Sequence, residues 1–372
     1  MNVLTRFVHA VRGWHRPLVL HAALMFGLAV VSAVGVFTDD RLLLGEPVWT
    51  KPMKFGVAMG VYSLTLAWLL TRLAKGRRVG WWVGTVFAVA GVLDVGVVTW
   101  AAAHGTFSHF NKDTDDVART VQTVFSFGIP PLMLATLVIA VLLLIQRTGD
   151  RALTRALRAG LGLAFASMVV ALWLSMSAGS TPRTEIDANG HAVPLVGAHG
   201  IGDPDGHGMF LTNWSTTGGD LRVPHFVGLH AIQVLLAVTA ILNLLATRRA
   251  WLRAERVRAR LVGAAAFGCA GVFTVLTWQA KRGQSVLHPD APTLVAFGAV
   301  AVLALVGVAT VVTAARRQIV ELAAVNARGV EPPAPRAPTE TATVNLLAPC
   351  GLAGALLDRS YDRYAGQVNA VK

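Results

Sequence analysis

The chain has 372 residues, 54% of them hydrophobic and 14% charged. That composition is too apolar for an ordinary soluble domain. A net charge of +13 would suit a nucleic-acid binder only if the cations gathered on a soluble face, and the two cysteines, Cys269 and Cys350, make neither a CxxC pair nor a disulfide framework.

Taken in order, Arg6, Arg12 and Arg16 precede an apolar run from about Pro17 to Phe37. The run is longer than a signal-peptide core and no Ala-x-Ala site follows, so a retained helix is expected. Further apolar runs lie at about 53–71, 80–102, 122–146, 158–178, 224–246, 260–280 and 292–314. Each is close to the ~20 residues that cross a bilayer core. The expected fold is an all-α membrane protein of about eight transmembrane helices, multi-pass in the plasma membrane. Pro130 and Pro131 should kink the fourth helix.

The connections alternate in charge. The N-terminal tail, 72–78, 147–158, 248–260 and the C-terminal tail hold 24 of the 33 Lys and Arg, giving that side +17 and the other −4. The positive-inside rule then places both termini in the cytoplasm. The same distribution removes nucleic acid as a partner, because topology already accounts for the arginines.

The expected domains are a basic tail (1–16), a first four-helix half (17–146), a second half (147–318) with a long extracytoplasmic loop (179–221), and a cytoplasmic linker and tail (319–372). The halves carry a faint parallel repeat. Thr99-Trp100-Ala101-Ala102-Ala103-His104-Gly105 closes the third span and Thr277-Trp278-Gln279-Ala280-Lys281-Arg282-Gly283 the seventh. The second and sixth spans open on Pro52, Lys54, Phe55 and on Pro224, His225, Phe226. Repeats of this kind place a substrate site between the halves. In the tail, Gly329 to Thr343 reads as a Pro- and Ala-rich linker. The leucines beyond it suit either a surface helix or a disordered segment.

Chemistry concentrates on the outer side. Eight of the eleven histidines lie there: His104, His109, His191, His199, His207, His225, His230 and His288. His225 and His230 are about 140° apart on a regular helix, whereas His230 and Gln233 share a face. His230 either belongs to a site or simply donates to a neighbouring carbonyl. Asp94 is the one acid within an apolar run, so it should be protonated or paired, with Lys54 or His230 at similar depth. Lys51, Lys54, Arg222, Lys281 and Arg282 make the mouth basic and attractive to an anion. Asp203-Pro204-Asp205-Gly206 is turn chemistry within a long loop expected to fold over that mouth.

Three strings, Val48-Trp49-Thr50-Lys51-Pro52-Met53-Lys54-Phe55, Ser108-His109-Phe110-Asn111 and Gly218-Gly219-Asp220-Leu221-Arg222-Val223-Pro224-His225-Phe226, resemble those of a group of uncharacterised bacterial multi-spanning integral membrane proteins. The resemblance covers the eight spans, excludes the tail and implies no particular activity. Where that group ends its third span in Gln-Ala-x-Arg-Gly, this chain has Ala101-Ala102-Ala103-His104-Gly105. That departure counts against His104 as a required ligand.

The expectation is an outward-facing polar vestibule lined by Lys54, Asp94, His225, His230, Gln233, Gln279 and Arg282, binding or transporting a small anionic solute. Two alternatives stay open. One is a membrane oxidoreductase holding haem or copper on His109, His225 and His230. The other is a non-catalytic sensor or assembly factor with the tail as its output.

Overall fold

A computed structural model describes residues 11–146, 148–177, 182–203 and 208–327, and all side chains in these ranges except those of 174–177 and 325–327. It is built from α1 (Arg16–Thr38), α2 (Thr50–Leu70), α3 (Arg77–Ala103), α4 (Asp116–Leu144), α5 (Arg151–Ser177), α6 (Arg222–Ala246), α7 (Glu255–Lys281) and α8 (Ala291–Ala327). All eight helices are long and apolar enough to cross a membrane, so the chain has the make-up of a multi-pass membrane protein. The described residues up to Glu321 form one compact unit, and of the second unit only 322–327 are described. The tail from residue 328 onward, with its expected linker and surface helix, lies outside the described residues.

Several helices begin before the apolar runs do. The Asp115 carboxylate caps α4 by accepting from the Ala118 N–H at 2.6 Å, and Asp150 does the same for the Leu153 N–H at 2.8 Å. A helix starts where its first free N–H groups find an acceptor, which hydropathy does not register. Pro130 and Pro131 lie inside a continuous α4. They remove the donors that the carbonyls of Ser126 and Phe127 would otherwise use.

Packing follows chain order, with α1 on α2, α3 on α4 and α5 on α6 as the closest pairs. Two close approaches require glycine. A Cβ on Gly56 of α2 would stand 2.6 Å from the Met25 carbonyl oxygen of α1, and one on Gly160 of α5 would stand 2.6 Å from the Ile232 Cα of α6. The main core joins Leu18, Leu66, Phe87, Ile139, Leu161 and Ile232, drawn from α1 to α6. A second joins Ala156, Leu235 and Val262 of α5, α6 and α7. Outward-facing apolar side chains such as Phe37, Phe127 and Leu305 remain exposed, as expected where the surrounding solvent is lipid.

The two ends of the bundle differ. At one end the short connections 71–76, 145–150 and 247–254 meet: Gln146 bonds the backbone of Ala74 and Lys75, and Arg258 pairs with Asp150 at 3.2 Å. The opposite end carries all the described β structure. A two-residue ribbon of β1 (Leu42–Leu43) and β2 (Glu46–Pro47) lies between α1 and α2. The hairpin β3 (Pro182–Ile186) and β4 (Ala192–Val196) pairs Arg183 with Leu195, and β5 (Gly200–Ile201) pairs with β6 (Gly219–Asp220). The described parts of the long loop are therefore ordered: the Lys112 N–H donates to Pro194 and the Val196 N–H to Phe110, laying the hairpin against the α3–α4 connection. Pro204 to His207 lie outside the described residues, while Asp203 accepts from the Ser215 and Thr217 hydroxyls.

The ends of α3 and α7 are alike. The Trp100 ring lies tilted 4.3 Å from that of His104 and Arg282 lies over Trp278, each four residues on, and Gly105 and Gly283 follow with φ of 67° and 71°.

Candidate functional site

The polar end gathers titratable side chains from several segments that are far apart in sequence. Thr50–Leu70 begins with Lys51 and Lys54 three residues apart, on one face of the first turn of α2. Lys54 is satisfied within the protein: it pairs with Glu46 of β2 at 2.7 Å and donates to the Thr212 carbonyl at 3.1 Å. Arg222, at the start of α6, is also satisfied. Its guanidinium grips both oxygens of buried Asp220 and also donates to the Asn213 carbonyl.

Lys51 differs. Its ammonium donates to Nδ1 of His109 at 3.0 Å, and it forms no ion pair among the described residues. Glu46 and Asp94 are near enough for their fields to reach it, and so are the repelling charges of Lys54 and Arg222. The side chain is packed round by protein yet keeps some accessible surface. An ammonium has three donors and His109 takes one.

His109 lies in the α3–α4 connection, where Asn111 locks the backbone. The Asn111 amide donates to Phe107, its Oδ1 accepts from the Asp113 N–H, and its carbonyl accepts from Gln122 of α4. With Lys51 as an ammonium, which can only donate, Nδ1 of His109 accepts and Nε2 carries the proton. The next residue, Phe110, has φ of 63°, strained for a bulky side chain. That conformation sets its ring 4.8 Å from the ring of His199, which also stands 5.9 Å from His109. Gly197 makes the approach possible: its φ is 105°, and a Cβ there would stand 2.6 Å from the Phe110 ring. Burial, with the Lys51 and Arg222 charges adding to it, holds both His109 and His199 well below the usual imidazole range.

The expected lining residues do not all meet. Asp94 stands on α3 within the field of Lys51, and its Oδ1 accepts no hydrogen bond among the described residues. The partners expected for it are engaged elsewhere: Glu46 takes Lys54, and His230 stacks parallel to Phe226 lower on α6. On the same helix, His225 donates from Nδ1 to the Ser167 carbonyl of α5 at 2.8 Å. Gln233 donates to the Thr65 hydroxyl of α2 at 3.1 Å, crossing between the two expected halves. Gln279 is buried and holds the Ser285 carbonyl at 2.7 Å, while Arg282 lies over Trp278 and pairs with Asp290. These two belong to the α7–α8 turn, which Ser285 ties to the Ser215 carbonyl. Glutamine and arginine at a helix end satisfy local carbonyls and acids before they reach a cavity, and hydropathy does not reveal that.

The histidines named for haem or copper do not form one set. Among the described residues no cluster of three or more His, Cys, Asp or Glu is arranged to hold a metal ion. His109 has a lysine ammonium on its Nδ1 and Arg222 nearby, charges that repel a metal cation. His225 is committed through Nδ1 to a carbonyl of a different helix pair.

Lys51 and Arg222 were visible in sequence only as general basicity of the mouth, and His199 only as one of many loop histidines. No local signal joins them, since Lys51, His109, His199 and Arg222 come from four separate segments.

No family model matches the chain, and neither a curated protein nor a solved structure matches it.

Proposed function

We propose that this is an integral membrane protein that binds a small anion at its polar end, with Lys51 as the principal contact and His109 and His199 beside it. The observation that carries the reading is Lys51 itself: an enclosed amine with no ion pair among the described residues, next to Lys54 and Arg222, which already have theirs. Enclosed charge without a counter-charge is costly, and an arriving carboxylate, phosphate or halide would supply one. Asp94 gives the site its second variable. Ionised, it opposes the anion within the field of Lys51; protonated, it lets the anion in.

The charge distribution supports an orientation with the 71–76, 145–150 and 247–254 connections in the cytoplasm and the anion site facing outward. A parallel two-half plan is supported by the matching ends of α3 and α7 and by the pairing of α1 with α2 and α5 with α6. Gln233 and Thr65 then join equivalent helices across the divide. Transport follows as the role of such a site if the anion continues between the halves.

The test uses the full chain in lipid nanodiscs, titrated calorimetrically with acetate, phosphate and chloride. At least one anion should bind, and Lys51→Met should weaken it tenfold or more, about 1.4 kcal/mol. Lys51→Arg should retain part of the affinity. Equal affinity in Lys51→Met and the parent, or no binding of any of these anions, overturns the reading.

A further inference from the structure

At the opposite end of the bundle a groove runs between α6, α7 and α8, with a volume of about 360 Å³ and an almost wholly apolar wall. Leu242 of α6, Ala264 and Gly268 of α7 and Ala304 and Val308 of α8 line it, and Trp251 closes its outer end. Small side chains give it depth: a Cβ on Gly268 would stand 3.7 Å from that of Ala304, and one on Gly307 would stand 3.6 Å from that of Ala264. The Trp251 end is basic. The Arg316 guanidinium lies 5.8 Å from the Trp251 ring centre, and Arg317 follows it on α8. Arg248, Arg249 and Arg253 belong to the α6–α7 connection that carries Trp251, and all five arginines are exposed. Among the described residues none of the five has an ion pair; of the acids at this end, Asp150 pairs with Arg258 and Glu255 accepts from the Arg151 N–H, while Glu321 stands one turn beyond Arg317 on α8.

We infer that this groove is a binding site for one anionic phospholipid, with an acyl chain along α7 and α8 and the headgroup phosphate on Arg316 and its neighbours. Apolar depth suits a hydrocarbon chain, and a basic pocket between membrane helices supplies the headgroup contact that a neutral lipid would not reward. Trp251 belongs at such a boundary because its ring packs on hydrocarbon while its face receives the guanidinium. A second copy of the chain would have to bring acidic side chains to this end. The exposed charge here is mainly arginine, with Glu321 the one exposed acid beside it, and two such faces repel.

The experiment measures lipid retained by the full chain in native mass spectrometry, and its thermal midpoint in detergent, with phosphatidylglycerol and phosphatidylcholine of identical acyl chains. The parent should hold one phosphatidylglycerol at least tenfold more strongly than phosphatidylcholine and gain a higher midpoint from it. The double change Arg316→Gln and Arg317→Gln, at exposed positions that leave the core alone, should remove the preference. Ala304→Leu, which fills the groove, should reduce retention of both lipids. Equal retention of the two lipids by the parent overturns the inference, as does a preference that survives the arginine changes. A dimer that Ala304→Leu dissociates would make a second copy the occupant and overturn it too.

Discussion

At the residue scale the decisive contrast is between lysines three positions apart. Lys54 and Lys51 share one face of α2, yet Glu46 neutralises one and only an imidazole receives the other. That imidazole and its neighbour make anion binding pH-dependent. His109 and His199 have pKa values well below 6.5 in the free protein, and an anion alongside favours their charged forms and raises those values. Binding should therefore take up protons, and affinity should rise as pH falls through the raised values of the bound state. Calorimetric titrations at several pH values test this, and His109→Gln with His199→Gln should reduce the pH dependence to the part that Asp94 contributes. Linkage also fixes the sign for stability. The unfolded chain takes protons first, so the stability contributed by these two histidines is complete above 6.5 and declines as pH falls below it, towards their folded values. A thermal midpoint that rises on acidification would contradict that sign.

At the element scale, helix pairs are set by where backbones come into contact. Gly160 touches Ile232 of α6 and leaves no room for a side chain. Gly160→Leu should destabilise the chain by about 1–3 kcal/mol or more, since an over-packed helix contact must shift backbone. Its mirror in the first pair, Gly56→Leu, should behave alike, whereas leucine at Gly27 or Gly162, where a Cβ meets nothing within 4 Å, should be nearly neutral. Thermal unfolding in detergent distinguishes the two pairs. The loop elements obey a different rule. Asn111 holds the α3–α4 connection through side chain and backbone together, so Asn111→Ala should loosen His109 and weaken anion binding with little effect on the helices. Helical circular dichroism set beside anion affinity separates these effects.

At the scale of the molecule, the prediction concerns sidedness. With Cys269 and Cys350 replaced, a cysteine at Thr114 in the α3–α4 connection should react with a membrane-impermeant maleimide added to intact cells. One at Arg249 in the α6–α7 connection should react only after permeabilisation. Both connections are exposed, so accessibility alone does not bias the result. The reverse pattern would invert the orientation and turn the anion site towards the cytoplasm.

Alone, the sequence determined the number of apolar helices and the asymmetry of charge between the connections, because twenty-residue runs and arginine counts are properties of the chain itself. It located the polar end, and it named Lys54, Asp94 and the α6 histidines as costly groups needing an explanation. It left Asp94 either protonated or paired, and the structure gives Lys54 to Glu46, while Gln279 and Arg282 serve the α7–α8 turn. Only tertiary structure decided that Lys51 meets His109 across 58 residues, and that a strained Phe110 beside a glycine sets the neighbouring His199. Contacts between distant segments depend on how helices and loops close on one another, and hydropathy, which averages over neighbours in the chain, carries no record of that closure.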